Sequence, residues 1–151
     1  MTKGTKTFRI IICVLLALTM IISAFFAAFF CLYFLKEPYG IYVAGVAVNR
    51  DNQDDVLGDG TVYYDVYNNI LTFNNATIES ENWPVYSKID LNIELIGENK
   101  FVCKNEEYSA GVYAGDYQLS KDLAFIGDGS LTIEIPNKSG EAVGIFASDL
   151  T

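Results

Sequence analysis

The sequence lacks histidine entirely and contains only three cysteines among its 151 residues. Without histidine, Ser-His-Asp and Cys-His catalysis, HExxH metal sites and most zinc chemistry are excluded. Cys13 and Cys31 fall in a strongly apolar stretch, which leaves Cys103 alone outside it, so no disulfide framework is predicted.

Charged residues are missing from residues 10–35, where only Thr19 and Ser23 are clearly polar. About 20 apolar residues suffice to cross a bilayer. A cleaved signal peptide has a shorter apolar core, of roughly 7–15 residues, and ends at a small-x-small site. No good site of that kind occurs here, so an uncleaved transmembrane helix over 10–35 is predicted, with a cleaved signal peptide as the alternative.

Acidic residues are also absent around the start of this stretch, where Lys3, Lys6 and Arg9 lie. Positive charge stays on the cytoplasmic side of a membrane. We therefore expect a single-pass protein of the cell membrane, with residues 1–9 in the cytoplasm and the C-terminal part extracellular. Residues 10–35 would contact the lipid bilayer.

Basic residues are scarce after residue 35. That part of the chain carries all 19 acidic residues and seven of the ten basic ones, a net charge of −12. Phosphate backbones require lysine and arginine, so nucleic acid is not an expected partner. A net negative charge is typical of a soluble exported domain.

Helical periodicity is lacking after residue 35, and short alternating apolar segments predict strands. Residues 93–101 match residues 123–131, thirty positions later, and residues 71–78 are a shorter version of the same unit. A second element follows each unit, at 85–87, 111–114 and 144–147. The order of strand, tight turn, strand, loop and strand thus repeats about three times.

Such a unit buries its apolar face only by stacking on the next one. The sequence therefore predicts an all-β, right-handed parallel β-helix of about three coils after the transmembrane helix. Residues 36–69 would form the juxtamembrane segment and N-terminal cap, and 70–151 the repeats. An antiparallel β-sandwich is the alternative. No cap is apparent at the C-terminal end, which favours a truncated form of a longer β-helix.

Parts of the chain resemble a family of bacterial, clostridial-type surface proteins. The resemblance is carried by residues 45–49, 55–62, 64–65 and 69–76 (GVAVN, DVLGDGTV, YD and NILTFNNA). It implies a right-handed β-helix similar to polysaccharide lyases, and a carbohydrate-binding role. These motifs form coils and carry no catalytic residue, so the resemblance bears on fold more than on function.

Aromatic residues recur at one position of the repeat, as Tyr86, Tyr113 and Phe146; we call these three the aromatic ladder. Side chains alternate along a strand, so either these rings or their β-branched neighbours face the core. If the rings face outward, sugars can stack on them. Trp83 and Tyr117 lie in loops and would add contacts, although a single loop tryptophan often covers the core instead.

An acidic loop offers a candidate metal site, with ligands Asp51, Asp54, Asp55 and Asp59. The resemblance to lyases implies a further set of calcium-binding acids at successive corners, Asp116, Asp122 and Asp128. Calcium prefers six to eight oxygen ligands. Closely spaced carboxylates can provide them, but the spacing departs from the EF-hand pattern. Aspartates in loops more often stabilise turns through their own backbone.

Three functions remain open from sequence. The preferred one is a membrane-anchored cell-surface module, not an enzyme, that binds polysaccharide or a cell-wall partner. The second is a calcium-dependent uronate lyase with Lys88, Lys100 or Lys121 as the base. The third is a structural or truncated surface domain without its own ligand.

Overall fold

The structure is a computed structural model that describes residues 3–34, 37–105, 110–116, 119–136 and 142–151, and within the helix the side chains of 8–30 and 32. The chain divides into two units, Met1–Glu37 and Pro38–Thr151, which are considered separately. The elements are α1 (Lys3–Phe34), β1 (Ile41–Val43), β2 (Val46–Ala47), β3 (Val62–Asp65), β4 (Ile70–Asn74), β5 (Thr77–Ser80), β6 (Val85–Ser87), β7 (Leu91–Ile96), β8 (Glu98–Cys103), β9 (Ala110–Ala114), β10 (Leu123–Ile126), β11 (Ser130–Glu134) and β12 (Val143–Phe146).

The N-terminal unit is helix α1, which begins several residues before the predicted span of 10–35. Its stretch Phe8–Phe30, with a mean hydropathy of 2.9, is long and apolar enough to cross a membrane, as a signal sequence also is. The hydroxyls of Thr19 and Ser23 donate to carbonyl oxygens three residues earlier, at 2.8 and 2.9 Å. These side chains therefore need no water for their hydrogen bonds.

The C-terminal unit consists of β-strands arranged in three sheets. Strands β4, β7 and β10 pair in parallel in one sheet, β5, β8 and β11 in the second, and β6, β9 and β12 in the third. Antiparallel pairs occur where the earliest strands join, between β3 and β4 and between β1 and both β2 and β6. The predictions of an N-terminal apolar helix and a β-strand domain are confirmed.

The pairing register corrects the repeat alignment proposed from sequence. Strand β10 places Leu123 opposite Leu91, and β11 places Ser130 opposite Glu98, so equivalent residues are 32 apart, as for the bonded pair Asp90 and Asp122. The predicted spacing of thirty is wrong by two residues. Since side chains alternate with a period of two, a shift of two keeps every side chain on the same face. The apolar pattern therefore could not distinguish the two alignments.

One cluster of buried apolar side chains takes members from all three sheets. Alternate residues of β7 and β8 are buried, and Phe101 is fully inaccessible to solvent. The ring of Phe101 meets that of Phe73 edge to face, with centroids 4.8 Å apart. This alternation leaves the other face of each strand for the surface.

Two glycines with positive φ offer a test of how closely the strands' backbones approach. Gly127 (φ +91°) and Gly58 (φ +79°) are both left-handed, but only at Gly127 would a Cβ collide with a backbone carbonyl, that of Leu95. We expect Gly58→Ala to lower the free energy of unfolding by about 1–2 kcal/mol. Gly127→Ala should cost about 1–3 kcal/mol more, because the contact forces the backbone to shift. Equal losses for the two variants, measured by urea unfolding, would contradict this packing.

Candidate functional site

The aromatic ladder lies on the outer face of the sheet formed by β6, β9 and β12. Tyr113 is in register with Tyr86 on one side and with Phe146 on the other. The adjacent Val85 and Val112 are fully buried, whereas Phe146 is 40% exposed. The β-branched residues therefore fill the core, and the alternative in which the rings form the core is wrong.

The ladder rings overlap one another along the sheet. Tyr113 and Phe146 are nearly parallel (9°) with centroids 4.8 Å apart, and Tyr86 lies 5.8 Å from Tyr113 at 52°. Tyr42, from the antiparallel strand β1, stacks on Tyr86 at 5.6 Å. Parallel rings at these distances cover part of each other's faces, and this contact itself stabilises the surface.

Trp83 stacks on the ladder instead of covering the core. Its ring lies 5.2 Å from that of Tyr86 and 5.1 Å from that of Tyr113. The surface thereby becomes two rings wide at its centre. We call the ladder together with Tyr42 and Trp83 the aromatic surface.

A surface depression of about 300 Å³ lies on the aromatic surface. It is lined by Trp83, Tyr86, Lys88, Tyr113 and Asp116. Aromatic walls with a few polar groups are typical of sites that hold a small ligand or one unit of a polymer. The depression thus combines ring faces with one basic and one acidic side chain.

Three members of this site, Tyr42, Lys88 and Asp116, were not predicted from sequence to bind a sugar. Tyr42 lies between the buried Ile41 and Val43, so alternation alone points it outward, but its pairing with Tyr86 depends on an antiparallel contact that no repeat reveals. Lys88 follows β6 directly and was considered only as a possible base. The predicted site residue Tyr117 lies outside the residues that the structure describes.

The acidic loop uses its carboxylates to form turns. One Asp55 oxygen accepts hydrogen bonds from the amides of Gly58 and Gly60, at 2.9 and 3.0 Å. One Asp59 oxygen accepts from the hydroxyl and the amide of Thr61. The hydroxyl bond is the main cause that holds the pKa of Asp59 below its usual range. These bonds maintain a loop conformation without an ion.

The predicted calcium ligands Asp51, Asp54, Asp55 and Asp59 are all described, and they are not brought together. Over the described ranges no three acidic or cysteine side chains lie close enough to hold a metal ion. The physical reason is the turn chemistry, which directs the Asp55 and Asp59 carboxylates at the loop's own backbone. The grouping that calcium requires is thus missing from this loop.

The lysines considered as catalytic bases lie in different surroundings. Lys100 forms an ion pair with Glu134 at 2.8 Å, on the side of the unit formed by β8 and β11. Lys88 borders the aromatic depression. A metal-assisted lyase needs a cluster of acidic side chains that holds the metal beside the base. Within the part of the chain that is described, no cluster of three such side chains lies beside Lys88 or Lys100.

Comparison with known proteins gives no match. No family model matches the chain, and no curated protein or solved structure is significantly similar to it. The resemblance to bacterial β-helix surface proteins therefore stays a prediction from sequence, and the case for function depends on the geometry.

Proposed function

We propose that the protein is a membrane-anchored cell-surface module whose C-terminal unit is a right-handed parallel β-helix that binds a polysaccharide through the aromatic surface. The observation that carries the proposal is the row of outward-facing rings on β1, β6, β9 and β12, with Trp83 beside it.

The solenoid part of the proposal is supported by the order of pairing. Each group of three successive strands places one strand in each of the three sheets, next to the equivalent strand of the preceding group. In this arrangement β1, β2 and β3 would form the N-terminal cap. Their pairs are antiparallel, β1 with β2 and β3 with β4. The handedness of the coils is a prediction.

The surface location is supported by the N-terminal helix. Phe8–Phe30 satisfies the length and hydropathy of a membrane span, and three basic residues with no acidic neighbour precede or begin it. The acidic C-terminal unit would then lie outside the cell, where polysaccharides of the envelope are available as ligands.

Binding of sugars is supported by the chemistry of the depression. The parts of the aromatic rings that their neighbours leave uncovered offer an apolar surface to the C–H groups of a sugar, and the polar groups of Lys88 and Asp116 can bond to its hydroxyls. Because the rings follow one another across adjacent strands, an extended chain can lie along the row and contact several of them. Multiple weak contacts of this kind give useful affinity.

We expect Tyr113→Ala to abolish or strongly reduce retention of the full chain, in mild detergent, on immobilised polysaccharides, since Tyr113 contacts Tyr86, Trp83 and Phe146. Tyr67→Ala is the matched control, because Tyr67 is 95% exposed and lines a different depression. Affinity electrophoresis in gels containing a panel of glycans would measure the retardation, and circular dichroism would verify folding.

Equal retardation of both tyrosine variants and the unchanged protein would exclude the aromatic surface as the binding site. If the folded protein is retained on no glycan, the structural alternative without a ligand is favoured. Release of unsaturated sugars from a uronate polymer with calcium present would instead indicate a lyase.

A further inference from the structure

We infer that the bound glycan is acidic, and that its negatively charged groups are recognised by Lys88 while the sugar rings lie on the aromatic surface. This inference depends on the proposed function, because it specifies the ligand class of the same site. Three observations carry it: the position of Lys88, its lack of an ion-pair partner among the described residues, and the charge around it.

Lys88 is held at the edge of the aromatic surface. Its Nζ lies over the rings of Tyr42 and Tyr86, 5.6 and 5.9 Å from their centroids. A lysine ammonium at these distances is attracted by the negative face of the rings. The side chain is exposed and also lines the depression, so its charge is directed to the place where a ligand would lie.

The charge of Lys88 is available for a ligand. Among the described residues the ion pairs are Lys100 with Glu134 and Lys104 with Glu79, and Lys88 takes part in neither. The other charged group of the depression, Asp116, uses one carboxylate oxygen to accept the amide of Leu119 at 2.9 Å. That bond holds the Asp116 side chain at its own turn, whereas the Lys88 ammonium contacts the rings of Tyr42 and Tyr86.

The surroundings of Lys88 are acidic, and they include Asp116 in the same depression. Residues after 35 carry a net charge of −12, which on its own repels an acidic polymer. A neutral glycan requires no cation at the depression, but an acidic glycan can approach only where a positive group offsets this field. A lysine over tyrosine rings provides such a place, since the rings contact the sugar while the ammonium bonds its anionic group.

The test uses the full chain in mild detergent with three probes. The first is an oligogalacturonate, the second is the same oligosaccharide after its carboxyl groups have been reduced to alcohols, and the third is polyglutamate. The reduced oligosaccharide keeps the sugar and linkage but not the charge, and polyglutamate keeps the charge but not the sugar. Each affinity is measured by calorimetric titration, or by titration of the fluorescence of Trp83, the single tryptophan.

We expect the oligogalacturonate to bind best, and Lys88→Gln to weaken it about fivefold, as for the loss of one exposed charge pair. The same substitution should weaken the reduced oligosaccharide much less, because glutamine keeps a hydrogen-bond donor for a sugar hydroxyl and the lost charge has no anionic partner there. Lys104→Gln is the control, since it removes the same charge from a residue that pairs with Glu79 and does not line the depression. Raised salt should reproduce the effect of Lys88→Gln.

The possible failures are distinguishable. If both oligosaccharides bind equally well and Lys88→Gln changes neither, the acidic ligand is wrong while glycan binding stands. If neither oligosaccharide binds but a neutral glycan of the panel retains the protein through Tyr113, the acidic ligand is wrong while glycan binding stands. If the folded protein binds no glycan of the panel, the proposed function itself is wrong. Binding of polyglutamate as tight as that of the oligogalacturonate would show charge attraction without sugar recognition, and would overturn the inference.

Discussion

Replacement of Phe101 by alanine is expected to lower the free energy of unfolding by about 3–5 kcal/mol, as for other large aromatic side chains removed from a core. Phe101 is fully buried, and it is in register with Ile78 of β5 and Ile133 of β11. Its ring also meets Phe73 edge to face. The cavity left by the substitution would therefore open between sheets that share one core.

Phe146→Ala is the matched control, because it is the same substitution on the outer face. Phe146 is 40% exposed and stacks on Tyr113, so its loss should cost only about 1 kcal/mol, the size of one aromatic pair contact. Urea unfolding of the full chain in mild detergent, followed by tryptophan fluorescence, gives both values. If Phe101→Ala does not fold, Phe101→Leu should cost about 1.5 kcal/mol or less. Equal costs for the two alanine variants would mean that the inner and outer faces have been assigned incorrectly.

Alternation alone predicts two possible assignments of the inner and outer faces of the strands and does not choose between them. Val85 and Val112 alternate with Tyr86 and Tyr113, and a period of two is compatible with either set in the core. The small residues Ser87 and Ala114 share the parity of the valines, and both are fully buried. Volume was the signal that pointed to the correct face, since a narrow interior accommodates serine and alanine beside valine.

The pairing of β6, β9 and β12 was predicted correctly, residue by residue, while that of β7 with β10 was displaced by two. In the first case a distinctive aromatic residue marks one position of each strand. In the second case the repeated glycine, which was used to align the strands, was misleading. Gly97 was matched with Gly127, but the register of Ser130 with Glu98 makes Gly129 the equivalent of Gly97. Glycines serve turns of several kinds, so one glycine does not identify a register.

The remainder of the candidate site depends on contacts between distant parts of the chain. Tyr42 reaches the ladder through an antiparallel strand, and Trp83 through a loop whose direction no local pattern specifies. For the acidic loop, the sequence predicted a site that the structure does not form. A count of carboxylates cannot reveal which of them accept backbone hydrogen bonds. Asp55 and Asp59 have such partners within five residues.

Asn99→Asp is expected to destabilise the protein strongly at neutral pH, although the two side chains have the same shape. Asn99 is 2% exposed, and its carbonyl oxygen accepts the amide of Ala76 at 2.9 Å. Its amide nitrogen donates to the carbonyl oxygens of Ile96 and Ser130, at 3.2 and 3.3 Å. One side chain thus connects β8 to the turn before β5 on one side and to β11 on the other. In Asn99→Asp a carboxylate oxygen would face those carbonyl oxygens, and a buried charge without a partner costs about 3–5 kcal/mol.

The pH dependence separates this charge effect from the loss of hydrogen bonds. Burial and the facing carbonyl oxygens disfavour ionisation, so the pKa of the introduced carboxyl should lie above its unfolded value of about 3.9. A folded pKa above the unfolded one gives stability that is present at low pH and is lost as the pH rises through the folded pKa. The deficit of Asn99→Asp relative to the unchanged protein should therefore shrink from pH 7 toward pH 4. Asn99→Ala, which leaves the Ala76 amide without its acceptor, should instead cost about 1–3 kcal/mol at every pH. A deficit of Asn99→Asp that stays constant with pH would mean that this side chain is hydrated, and that the turns before β5 and β8 do not pack as described.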